Sequence, residues 1–107
     1  MTRELVLDAA LQGLTVDRVE VRRIRMAPTF APGAHVHNGP VLGNPIEGAV
    51  LFQVESEAQI VLRPGEVFFE PAGRRISHFD ALDGGAVFLC YFPLAPGQQP
   101  DIRLLDE

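Results

Sequence analysis

The chain carries only three histidines, and two of them, His35 and His37, form an H-x-H pair. Residues two apart on a strand share a face, so both rings can reach one ion at about 2.0–2.1 Å. Turn signals flank the pair, Pro32-Gly33 before it and Asn38-Gly39-Pro40 after it, which predicts a short strand between turns. His78 stands 41 residues beyond His37, past Pro71-Ala72-Gly73, and spacing alone does not join it to the pair. Taken alone, His78 reads as a surface or hydrogen-bonded strand residue. Glu70 closes the stretch FFEP, where it can orient a ligand or act as a base; a solvated strand end is the plainer reading. Gln53 is the one uncharged polar residue of AVLFQVE and either lines a pocket or faces outward. Arg74 and Arg75 can meet an anion at a pocket mouth or serve as surface charge. Cys90 lies in an apolar run, where a free cysteine acts as a small buried hydrophobe.

The elements that must position these residues are punctuated by ten glycines and nine prolines, spread along 107 residues. Breakers at Pro32-Gly33, Gly43-Asn44-Pro45, Pro64-Gly65, Gly84-Gly85 and Pro96-Gly97 leave intervals that suit strands better than helices. The pattern predicts an all-β sandwich or barrel. Strands are expected over 49–55, 59–62, 66–70 and 86–92, with a type II turn at Arg63-Pro64-Gly65-Glu66. Arg18 to Met26 alternates, but its apolar parity changes between Val21 and Ile24, which predicts a β-bulge near Arg22-Arg23. Residues 1–15 read as an N-terminal segment forming an edge strand or a short helix. Residues 16–95 read as the barrel, and residues 96–107 as a polar, loosely held tail.

Composition narrows the function classes. A length of 107 residues fits one domain. The chain has a net charge of −5 and no lysine, its nine arginines being scattered among fourteen acids, so a basic nucleic-acid face is not expected. No apolar run approaches the roughly 20 residues that span a bilayer. The N-terminus lacks the layout of a secretion signal, and one cysteine excludes an internal disulfide; a cytoplasmic protein is the expectation.

From Gly33 to Phe92 the sequence resembles the conserved barrel of the cupin superfamily. That family's first motif, roughly G-x5-H-x-H-x3/4-E-x6-G, is matched by APGAHVHNGPVLGNPIEGAVLFQVE, with His35, His37 and the closing Gly48. Its second, roughly G-x5-P-x-G-x2-H-x3-N, is matched by GEVFFEPAGRRISHFDA, with Gly65, Pro71 and Gly73 in register. Two positions depart. The motif glutamate falls at Val41 or Leu42, neither of which binds metal, and Glu47 occupies a turn position. The motif histidine falls at Ile76, with His78 two residues late and the trailing asparagine missing. A two-residue shift keeps strand parity, so His78 is expected to face the interior one pleat further along.

The resemblance implies a single double-stranded β-helix, or jelly-roll, barrel holding one divalent transition metal through His35, His37 and His78. Iron, zinc, nickel, manganese and copper all accept imidazole. Three neutral ligands would leave the ion its full +2 charge and open positions, which suits dioxygenase-like or Lewis-acid chemistry on a small organic substrate. Glu70 and Gln53 are the candidate catalytic side chains. The alternative is a non-catalytic ligand-binding or accessory barrel that has lost its metal. Open barrel edges favour pairing with a second copy, so a homodimer is expected.

Overall fold

A computed structural model describes residues 1–105. Seven strands carry the fold: β1 (Arg18–Met26), β2 (His35–His37), β3 (Val41–Val54), β4 (Ile60–Leu62), β5 (Phe68–Glu70), β6 (Ile76–Leu94) and β7 (Ile102–Leu104). No helix occurs among the described residues. The antiparallel order is β4-β3-β6-β2-β7, with β1 on a further edge of β6 and β5 on β3. The domain is all-β.

The two long strands, 14 and 19 residues, form the spine and bend where their register shifts. One bend needs glycine. Gly48 has φ +75°, and a Cβ there would collide with the Gly85 carbonyl oxygen, so the two backbones cross at a contact that a side chain would open. The expected turn after β4 is present. Gly65 has φ +93°, the Glu66 amide donates to the Arg63 carbonyl at 3.1 Å, and the Glu66 carboxylate accepts from the Arg63 amide at 2.8 Å.

Inward residues of β3, β5 and β6 meet in one core. Val50, Val54, Leu62 and Ile76 are buried around four phenylalanines. Phe68 and Phe79 have ring centroids 5.0 Å apart, Phe79 and Phe88 4.9 Å, and Phe52 and Phe68 5.7 Å, all tilted or edge-on. Such pairs add about 0.5–1.5 kcal/mol each to their area burial.

Three expectations about the elements are corrected. β1 has no bulge: it pairs with β6 without a shift from Arg18↔Leu94 to Met26↔Ala86. Its parity change is instead met by leaving Val19 and Val21 exposed outside while Ile24 and Met26 turn inward. Residues 1–15 form neither strand nor helix; a turn at Gln12-Gly13, both with positive φ, breaks the segment before either can propagate. The tail is not wholly loose, because β7 hydrogen-bonds to β2, where it satisfies an otherwise open edge.

Candidate metal centre

β2 is only three residues long, and its neighbours fix it. His35 pairs with Ile76 of β6 on one side, while His35, Val36 and His37 pair with Leu104, Arg103 and Ile102 of β7 on the other. The Gly73 amide donates to the His37 carbonyl at 3.0 Å, tying the turn after β5 to the same strand. Strand alternation then sends both imidazoles inward. Their rings stand 5.0 Å apart and nearly perpendicular, at 85°.

The third member arrives from β5. Glu70 pairs with Val41 of β3 and ends with 3 % of its surface exposed. Its Oε2 lies 2.6 Å from His37 Nε2 and 3.8 Å from His35 Nε2. One donor atom from each of His35, His37 and Glu70 lies within 4.8 Å of the other two. Three donors on one ion at about 2.1 Å would stand about 3.0–3.4 Å apart, so small side-chain shifts close the set.

Tautomer and hydrogen bonding favour an ion in that space. The Gly33 carbonyl can only accept, so His35 donates to it from Nδ1 at 2.8 Å, which leaves Nε2 as the ring nitrogen facing Glu70. That backbone contact, from a glycine at φ +92°, is the kind of outer partner that orients a metal-ligating histidine. Glu70 Oε2 is buried and has no hydrogen-bond partner, although His37 Nε2 stands 2.6 Å away. An orphaned buried carboxylate oxygen is costly, and a cation between the three donors would satisfy it. The donor set therefore fits a divalent transition metal.

Electrostatics without the ion are those of a buried pair. Burial pushes the Glu70 carboxyl up, but His35 and His37 outweigh it and hold it below the usual carboxylate range. Burial pulls the His35 imidazolium down, yet Glu70, the Gly33 carbonyl and the charge of Asp80 leave it above the usual histidine range. The Cys90 thiol is pushed up to about 12, first by burial and then by the Glu70 charge. In the metal-free domain it is therefore a protonated thiol.

The remaining candidates stand elsewhere. Ser77 is an extra residue in β6: Val54 pairs with Ile76 while Gln53 pairs with His78. This bulge breaks the alternation, so Ile76 and Phe79 point inward and His78 outward. His78 Nδ1 contacts Asp80 Oδ2 at 2.7 Å with 40 % of its side chain exposed. Gln53, opposite it in the ladder, donates to the Glu57 carbonyl at 2.8 Å and ties the β3–β4 hairpin. Arg74 pairs with Glu55 and Glu57 at 3.1 and 3.2 Å, and the Arg75 amide donates to Glu55 at 3.1 Å.

A cavity of about 230 Å³ opens beside the cluster. Phe79, Phe88 and Cys90 form its buried floor, Ile24, Met26 and Phe92 its side, and Phe30 and Ile102 its exposed rim. Phe79 and Phe88 thus pack in the core and also wall a chamber.

Comparison with known proteins agrees with this architecture. No protein-family model matches the sequence, and no curated protein matches it. Solved structures do. A DMSP lyase, from crystal structures of RdDddP and RnDddQII, superposes with a TM-score of 0.71 at 23% identity, over 82% of this chain and 44% of that one. Oxalate oxidase in complex with the substrate analogue glycolate gives 0.68 at 23%, over 81% and 46%. An RmlC-like cupin from Shewanella frigidimarina gives 0.63 at 20%, over 74% and 68%. This chain spans less than half the length of the first two. At these identities the likeness is one of fold, and it is enough to define the class: the chain is a cupin-fold β-barrel domain.

Proposed function

We propose that this cupin domain binds one divalent transition metal ion through His35, His37 and Glu70 and acts on a small organic molecule in the adjoining cavity. The observation that carries the reading is the buried, unsatisfied Glu70 oxygen facing two imidazole nitrogens. The carboxylate absent at Val41 is supplied by Val41's own cross-strand partner, so a two-histidine, one-carboxylate set is kept although the motif position is lost. Such a set leaves positions for water or substrate and suits iron in particular, while zinc, nickel, manganese and copper also accept these donors.

The bound ion would supply Lewis acidity, or a site at which dioxygen and substrate meet. The chain's own groups do the rest. Glu70 lowers the ion's net charge to +1. The Gly33 carbonyl holds the His35 ring with Nε2 turned inward. The phenylalanine floor gives the cluster an apolar flank. His78 has no part in this set.

Metal analysis of untagged protein after loading tests the reading. About one ion per chain is expected, lost in Glu70→Ala and His37→Ala and kept in His78→Ala. Failure to take up any transition metal overturns it.

A second reading is a metal-free, ligand-binding barrel. It draws on the mutual stabilisation of Glu70 and His35, which lets the cluster stand as a buried ion pair. Full retention of ligand affinity in His37→Ala separates it from the first. The homodimer expectation is supported by Val19 and Val21, which stand exposed on edge strand β1, and light scattering checks it.

A further inference from the structure

The chamber wall is chemically one-sided. Apart from His35, His37 and Glu70, the only charged residue lining it among the described residues is Arg25. Arg25 is exposed and follows the opposite parity from Ile24 and Met26 on β1, so its charge belongs outside. The rest of the lining is hydrocarbon, aromatic ring or protonated thiol. A ligand inside finds polar partners at one end only.

We infer that the chamber selects a compact ligand with a single anionic head, such as a carboxylate or enolate, on an otherwise apolar body. The head lies at the histidine–glutamate cluster and the body against Phe79 and Phe88. This rests on the metal reading above, because an anion placed beside Glu70 needs the ion between them. Size follows from volume. An apolar cavity of about 150 Å³ in another protein takes benzene, so 230 Å³ holds about nine non-hydrogen atoms. Any further polar group on the body would be buried without a partner, which is costly. The chamber therefore rejects a hydroxyl where it accepts a methyl.

Calorimetric titration of zinc-loaded protein tests this with 4-methylbenzoate, 4-hydroxybenzoate and toluene. The two acids have equal numbers of non-hydrogen atoms and differ only in methyl against hydroxyl. The methyl compound is expected to bind at least about tenfold more tightly. Toluene is expected to bind zinc-loaded and metal-free protein alike, since it needs only the wall, whereas 4-methylbenzoate is expected to lose at least about tenfold when zinc is removed. Met26→Trp should close the chamber to all three and keep zinc. If that variant fails to fold, Met26→Ala should shift preference toward 4-propylbenzoate. Equal affinity for the two acids, or no toluene binding by protein that holds zinc, overturns the inference and leaves the metal reading standing. Protein that binds toluene but takes up no zinc overturns the metal reading, and the anionic head with it, while the apolar chamber remains.

Discussion

His37 Nε2 stands 2.6 Å from Glu70, and His78 Nδ1 stands 2.7 Å from Asp80. By distance the two contacts are twins. Their surroundings are opposite. The Glu70 side chain is 4 % exposed and faces a second histidine, while His78 is 40 % exposed and has one carboxylate beside it. In the first place the protein bears the cost of removing three ligand-type groups from water, which is hard to explain without a further partner. In the second, the His78 ring is open to water and the contact is only part-buried, so less is asked of it. A histidine–carboxylate contact thus acquires meaning from convergence and burial, not from its length.

Breaking the buried member should have the larger consequences. Glu70→Ala or His35→Ala is expected to weaken zinc binding by at least about a hundredfold, by analogy with the tenfold to hundredfold cost of losing only an outer partner. Asp80→Asn and His78→Ala should leave zinc binding within about twofold, as competition against a chromophoric chelator would show. Equal losses on both sides would erase the distinction. Stability should follow the same order. In metal-free protein, His37→Ala removes a partner from a buried carboxylate and should cost about 3 kcal/mol in urea unfolding. His78→Ala breaks a part-exposed contact, for which about 1 kcal/mol is the ceiling.

The strands, the turn at 63–66 and the H-x-H pair are legible in the sequence because each is local: turn residues at fixed offsets and a period of two. The third member of the cluster was not, for two reasons of register. Glu70 can replace a ligand at Val41 only because β5 lies antiparallel to β3 with those two residues opposite, a pairing across 29 positions that no local pattern encodes. Strand parity predicts His78 inside, and a single extra residue, Ser77, defeats that argument without leaving a mark in composition. Glu70 itself reads in the sequence as a base, an orienting group or a solvated strand end. Its mark in the sequence is an acid ending an otherwise apolar run, FFE, and its burial is what supports the proposed ligand role. In β1 the parity change was real, but its cause was outward valines and not a bulge.

The subtlest separation of the two contacts is by pH. In metal-free protein His35 is held above 6.5, so its contribution to stability is complete below about that pH and is lost as pH rises through the folded-state value. Glu70 is held below 4.5, so its contribution is complete above about that pH and is lost as pH falls through the folded-state value. The pair therefore stabilises the metal-free domain most between about pH 4.5 and 6.5. A metal ion demands the neutral imidazole and competes with the proton, so loading with zinc should move the stability maximum above pH 6.5. Urea midpoints across pH 3–9, with and without zinc, measure that displacement. In Glu70→Gln the maximum should flatten and cease to respond to zinc, whereas His78→Ala should reproduce the parent curve. A parent curve that zinc does not move would mean that the buried contact is no more than a well-hidden version of the exposed one.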